Sequence, residues 1–385
     1  MRDATDVRTT PSHDSVSAAE KAQRPGDDQR AVGVRLIVIL AATPAGCAAV
    51  SLGLGVALPR TRDSVPAVAF AVVALASGSL LLVIAGVLLF QVTRAWLRLV
   101  FIPWIVSVLV VVYSLSIALA AVFPPHPSPS LGMPAGAARI EMTAVDGVRL
   151  SGWYLPSRNG AAVVLRHGAG STAADTVAHA VALNDAGYGV LSTDARGHGD
   201  SGGQGMDLGW FGEADTRAAL DALAERSEID PDRIGVVGLS MGGEEAIGAA
   251  GVDHRIRAVV AEGATGRTAA DKAWLADEYG VAGIVQGALD TLTYAIVDIL
   301  TPAAPPRTLE QSIRDGGSTP VLLISAGENP DEQSVSARLA AVDPARVEVW
   351  VVPGADHVRG LATAPDEWRL RVVGFLDAAL RARSG

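Results

Sequence analysis

A serine hydroxyl attacks a carbonyl only when one group takes its proton and others hold the charge that develops on the carbonyl oxygen. One serine here has neighbours suited to both tasks. Ser240 lies in Gly238-Leu239-Ser240-Met241-Gly242, a G-x-S-x-G pattern. The apolar run Ile234–Val237 before it reads as a buried strand, and Glu244–Ala250 after it can run as a helix. Strand, sharp turn and helix together form the context in which this pattern makes a nucleophile elbow. A serine at the tip is held in an unfavourable backbone region. Residues two places either side must be small so that strand and helix can approach, and both are glycine. The turn lifts the Ser240 hydroxyl clear of the sheet. It also aims the Met241 N–H, at the helix N-terminus, toward a substrate oxygen.

The elements that must carry this turn follow from the pattern upstream and downstream. Arg139–Ala144 and Val148–Leu155 alternate apolar and polar residues around Asp146-Gly147, which predicts a hairpin. Short apolar strands are predicted at Ala161–Leu165, Gly189–Thr193, Ile256–Ala261, Val321–Ser325 and Val347–Val352. Helices are predicted near Ala173–Ala186, Gly209–Ser227, Asp331–Val342 and Pro365–Ala382. Strands alternating with helices at this spacing imply a mostly parallel sheet covered on both faces.

The stretch from Arg139 to Ala382 resembles the α/β-hydrolase superfamily. Four pieces carry the resemblance in order. They are the His167-Gly168 turn, the Asp194…Arg196-Gly197-His198-Gly199…Ser201 turn, the elbow, and a late histidine. The second piece is similar to the turn in serine aminopeptidase-type hydrolases, monoglyceride lipases and proline iminopeptidases. The resemblance implies an α/β-hydrolase fold and the chain order nucleophile, acid, histidine. Of seven histidines, His13 and His126 lie outside the domain, His167, His179 and His198 precede Ser240, and His254 follows it too closely. His357, in a turn directly after a strand, remains as the base. The resemblance also gives Ala169 as the second oxyanion donor beside Met241.

The acid stays open between several residues. Relatives often show G-x-x-D after the strand that ends at Ser325, and counting from Gly327 puts Pro330 in that slot. Asp331, Glu328 and Glu332 are the near candidates. Asp331 is the expected acid, since a one-residue insertion restores the pattern. Glu328 is second, and Glu262, at the end of the sixth strand, third. Arg166 is expected at the rim, paired to a surface carboxylate. Residues 263–319 exceed a simple crossover and read as a cap over the site, amphipathic enough to rest on a bilayer.

The chain of 385 residues is 49% hydrophobic, and the excess is concentrated upstream of this domain. Three runs, Leu36–Leu58, Val65–Phe90 and Leu99–Phe123, contain no Asp, Glu, Lys, Arg or His, and each reaches the ~20 residues that span a bilayer. Residues 1–30 are polar and expected to be disordered. The expected division is therefore a tail over 1–30, a three-helix transmembrane anchor over 31–123, a proline-rich linker over 124–138, and a hydrolase domain over 139–385. Lys21, Arg24, Arg30, Arg35, Arg94 and Arg98 flank one side of the spans; Arg60, Arg62 and the more distant Arg139 flank the other. The positive-inside rule then favours a cytoplasmic N-terminus and an extracytoplasmic catalytic domain. Trp96 and Trp104 are candidate interfacial anchors. Transport would call for intramembrane charge, which the spans lack.

The net charge is −10, carried mostly by the C-terminal domain, with no basic stripe to neutralise phosphates; nucleic acid is excluded as a partner. The single cysteine, Cys47, allows neither an internal disulfide nor a cysteine zinc site. The expectation is a membrane-anchored serine hydrolase without metal or organic cofactor. It acts on carboxylic esters, or small amides and peptides, through Ser240, His357 and Asp331. An inactive hydrolase-fold scaffold or binding protein at the membrane is the alternative.

Overall fold

The computed structural model describes residues 24–62, 64–126 and 132–381. Most of the expected polar tail, and part of the expected linker, lie outside the described residues. The described chain begins as helix at Arg24.

Three long helices come first: α1 (Arg24–Leu52), α2 (Val65–Val92) and α3 (Phe101–Val122). Each, counted with its short extensions, is long and apolar enough to cross a membrane. They pack through small residues. A Cβ on Gly46 would meet the Leu82 side chain at 2.7 Å, and one on Gly78 would meet the Val50 backbone nitrogen at 2.8 Å. Helices approaching this closely gain dispersion contacts without needing polar groups. Their outward side chains are apolar, among them Leu40, Val73, Leu80, Ile102 and Leu109. Trp104 stacks on Phe101 and donates its indole N–H to Thr43 Oγ1 at 3.3 Å. The side chain of Trp96 lies outside the described residues.

The second part is an eight-stranded sheet in the order β1-β2-β4-β3-β5-β6-β7-β8. The hairpin β1 (Ala138–Thr143) and β2 (Arg149–Leu155) forms the antiparallel edge, with β2 antiparallel to β4 (Gly189–Thr193). The remaining pairs are parallel: β3 (Ala162–Arg166), β5 (Ile234–Leu239), β6 (Ile256–Glu262), β7 (Val321–Ala326) and β8 (Val347–Val352). The central strands are buried along their length, as covered parallel strands must be. Strand alternation splits the core into two layers. Val164, Val236 and Leu323 face one side, packed under α5 (Gly212–Ala224), α6 (Met241–Ala250), α9 (Leu309–Asp315) and α10 (Pro330–Val342). Val163, Val237 and Ile324 face the other, under α4 (Val177–Asp185) and α12 (Pro365–Ala379).

Between β6 and α9 lies the cap, with a short helix α7 (Leu275–Tyr279) and a long one, α8 (Val281–Leu300). A one-turn helix α11 (Gly360–Thr363) precedes α12. The two parts are tied where α3 ends. Asp207 N–H donates to the Ala121 carbonyl at 2.8 Å, and Arg60 donates to the carbonyls of Phe123 and Pro124 at 2.9 and 2.8 Å.

Candidate active site

Ser240 has φ 53° and ψ −120°, left-handed backbone that costs a non-glycine residue roughly 1–3 kcal/mol. The neighbours make the turn possible by having no side chain. A Cβ on Gly238 would sit 2.0 Å from the Gly242 carbonyl oxygen, and one on Gly242 would sit 2.5 Å from the Arg166 carbonyl oxygen. Ser240 N–H donates to the Glu262 carbonyl at 2.7 Å, which fixes the tip of the turn against β6.

The late histidine reaches this serine. His357 Nε2 lies 2.9 Å from Ser240 Oγ. Its Nδ1 lies 2.6 Å from Glu332 Oε1. A neutral imidazole whose Nδ1–H donates to a carboxylate presents Nε2 as an acceptor to the hydroxyl, so the three groups form one relay. Glu332 is only 1% exposed, and its carboxylate is fully engaged. Oε2 accepts Ala326 N–H, and Oε1 accepts the Asn329 amide, both at 2.8 Å. The Glu332 bond raises the His357 pKa, against the opposing effect of burial. Burial works against the Glu332 charge, but the bonds to His357, Ala326 and Asn329 outweigh it and hold the carboxyl below its ordinary value.

The expected acid, Asp331, is not the residue that meets His357. Its carboxylate accepts the Tyr279 hydroxyl of the cap. The physical reason is the start of α10. Asn329 is the N-cap and Pro330 the first helical residue, which makes Asp331 second and Glu332 third. A third-position glutamate turns back over the cap toward the end of the preceding strand, where His357 lies. The second-position side chain is rotated away by a helical step. Glutamate's extra methylene spans the added distance. Glu328 is exposed, and only its backbone N–H is engaged, with the Ala355 carbonyl at 3.0 Å. Glu262 is buried but does not bond His357. It accepts Gly360 N–H at 2.7 Å and the Trp368 indole at 3.2 Å, bracing the segment that carries the histidine.

The N–H groups of Met241, the residue after the serine, and of Ala169, which lines the same cleft, donate to no protein acceptor among the described residues. A Cβ on Gly168 would sit 3.2 Å from Ser240 Cβ, so the loop carrying Ala169 lies directly against the serine. That loop is braced from beneath. His167 Nδ1 lies 2.8 Å from the Gly168 carbonyl, and its Nε2 accepts Ala195 N–H at 2.9 Å. Burial pushes His167 down to about 3, so it stays neutral. Asp207 Oδ1 accepts Gly170 N–H at 3.2 Å and sits 3.0 Å from His198 Nε2.

Arg166 is not at the rim. It is fully buried under the elbow, donating to Glu245 of α6 at 2.8 Å and to Thr193 at 2.6 Å. Asp215 continues the chain to Arg196, which reaches Asp146 at 2.6 Å. A buried arginine needs such partners, and here they tie α6 to the strand ends.

Two residues were not recognisable as supports before the fold was known. Gly263, at φ 75°, clears room for His357, since a Cβ there would lie 2.8 Å from its Cε1. Val358, at φ 50°, follows the histidine in strained backbone. Neither carries a local sequence signal, because both answer to a segment remote in the chain.

Two clefts meet at His357. One, of about 730 Å³, is lined by Ala169, His179, Ser240, Arg359 and Leu361. The other, of about 450 Å³, runs under the cap past Lys272, Gln286, Asp290 and Asn329.

Known proteins are similar to parts of this chain. Residues 157–296 match the family model described as serine aminopeptidase, S33. An uncharacterised protein of Mycobacterium tuberculosis is 39% identical over 129 residues, which is 33% of this chain and 45% of the relative. The match thus spans less than half the length of that relative. The uncharacterised Escherichia coli protein YfhR is 27% identical over 266 residues, covering 65% of this chain and 84% of its own. Among solved structures, the Pyrococcus furiosus esterase Pf2001 is similar at 27% identity and a TM-score of 0.50, over 66% of this chain and 100% of the esterase.

Proposed function

Taking membership of the α/β-hydrolase superfamily as the premise, we propose that this chain is a membrane-anchored serine hydrolase that cleaves carboxylic esters. The observation that carries the reading is the relay from Glu332 through His357 to Ser240, set on a strained elbow. Ser240 Oγ attacks the ester carbonyl carbon and passes its proton to His357 Nε2. The Met241 and Ala169 N–H groups hold the oxyanion. Glu332 stabilises the imidazolium and fixes its tautomer. The tetrahedral intermediate collapses, the alkoxide leaves with the proton from His357, and an acyl-serine remains. Water then attacks that ester with His357 again as base, releasing the acid and restoring the serine.

The helices α1–α3 form the anchor in this reading. With the basic flanks on the cytoplasmic side, the catalytic domain stands outside the membrane it is tied to. A reporter fused after the C-terminus tests that topology, and a cytoplasmic reporter signal would reverse it. The lipid bilayer and a small or lipid-like ester are the partners the reading requires. Cleavage of small amides is a second reading, favoured by Asp290, which is buried in the cap cleft with Oδ2 unpaired and would suit a substrate amine. Lys272 lines the same cleft and offsets that preference, so esters stand first.

Labelling of membranes by a fluorophosphonate probe tests the core of the proposal. Wild type should label, and Ser240→Ala and His357→Ala should not. Folded wild type that stays unlabelled would move the weight to an inactive scaffold.

A further inference from the structure

Helix α8 wears its polarity inside out. A surface helix of a globular protein turns its apolar stripe to the core. Here Asp290, Thr293 and Tyr294 are buried together with Gly283 and Val297, and Gln286 donates to Asp290 at 2.9 Å on the side that lines the cleft ending at His357. Outward stand Val281 at 77% exposure, Ile284 at 60%, Val285 at 56% and Ile299 at 83%. Positions 281, 284, 285, 288, 292 and 299 lie on one stripe at helical spacing.

By length and hydropathy α8 passes as a membrane span. The sheet forbids that crossing. One passage through the bilayer would put β6 and β7 on opposite sides, yet they pair directly from Val259–Val321 to Glu262–Ile324. The helix must therefore lie along a surface. Its place is set by α3, because Ala118 and Val122 of α3 share one buried cluster with Tyr294 and Val297 of α8 and with Trp210. On α3 itself, Ile117 stands exposed one residue before Ala118 of this cluster.

We propose that α8 is seated in the outer lipid layer of the bilayer that holds α1–α3, so that one wall of the catalytic cleft is embedded and the substrate is an ester drawn from that lipid. This rests on the hydrolase reading for the substrate, and on the membrane-anchor reading and its topology for the seating. An apolar stripe on lipid and a polar face on the protein is the arrangement of an interfacial helix. Docking on α3 fixes its depth, and the polar inner face, Gln286 and Asp290, leads from that level to His357.

The test uses the full chain in phosphatidylcholine nanodiscs, with Cys47→Ala as background. An environment-sensitive fluorophore is placed at Ile284→Cys or Ile299→Cys. The control is Val252→Cys, just past the end of α6 remote from Ser240. Doxyl-labelled lipid should quench positions 284 and 299 at least about threefold more than 252. Equal quenching at all three overturns the seating. Blue-shifted emission without quenching would mean that a second copy covers the stripe, and overturns it as well. In a second arm, the double variant Ile284→Asp/Val285→Asp should lose about tenfold or more in kcat/KM on a long-chain ester presented in vesicles, and keep its activity on a soluble acetate ester. Equal losses on both overturn the lipid route to the site. Hydrolysis of neither ester by wild type would sink the enzyme reading alone, and the quenching result would then stand by itself.

Discussion

Two loops at the carboxyl edge of the sheet have the same architecture and opposite physics. Each runs from a buried strand through a turn into a helix, and each delivers one side chain to His357. In the loop after β5, Ser240 sits on the turn itself, in left-handed backbone, with glycine two residues to each side. In the loop after β7, Glu332 sits inside the helix, in ordinary helical backbone behind an Asn329 cap. The first holds its side chain by strain, the second by hydrogen bonds and packing. Strain of the first kind has to be written into the chain as glycine at fixed offsets. Packing of the second kind can be met by several residues at several positions.

The largest test of this contrast is at the serine. Ser240→Ala or His357→Ala should lower kcat on a soluble ester by about 10⁴- to 10⁶-fold with the fold intact by circular dichroism, since members of such a relay act as a unit. A loss under about tenfold in either would break the relay.

Next comes the carboxylate. Glu332→Gln should cost about 10³- to 10⁴-fold in kcat. It should also move the pH profile in a set direction. The Glu332 bond raises the His357 pKa, and the proposed mechanism needs the neutral ring, so wild-type kcat/KM should fall as pH drops through that raised value. Removing the carboxylate charge lowers the value, and the acid limb should shift to lower pH. A limb that stays in place would show that another carboxylate sets it.

Smaller effects are expected one layer out. Glu262→Gln keeps the shape of the brace under Gly360 and Trp368 but turns an amide NH2 toward one of those two N–H donors, so that bond is lost, and should lower kcat about tenfold with KM little changed. Asp331→Asn should change kcat within about threefold, because its partner is Tyr279 of the cap. A large loss at Asp331 with a small one at Glu332 would reverse the assignment.

The same contrast explains what could be read before the fold was seen. The strand–helix alternation, the hairpin around Asp146-Gly147 and the three apolar helices were legible, because period and length are local properties. The elbow was legible because its glycines are obligatory. His357 was reachable through chain order. Which of Asp331, Glu328 and Glu332 meets His357 is not legible, since position along a loop does not say which way a side chain turns. Asn329-Pro330 as a helix start would have pointed to the third helical residue. Arg166 was placed at the rim because an isolated cation at a strand end reads as exposed; its partners, Glu245 and Asp215, come from distant helices that only the fold assembles. The reversed polarity of α8 was visible as an amphipathic pattern, but which face turns inward is decided by tertiary contact.

Ser240 and Val358 are the non-glycine residues with positive φ among the described residues, and they stand on either side of the bond between serine and histidine. A selection for heat resistance alone, blind to turnover, should therefore converge on these positions. Glycine in place of Ser240 would relieve roughly 1–3 kcal/mol of backbone strain and yield a sturdier, silent protein. Asparagine in place of Val358 should raise the melting temperature by a few degrees and leave the histidine less firmly held. What keeps both residues in the chain is then a demand other than durability, and each round of such a selection would measure how much thermal tolerance the site has forgone.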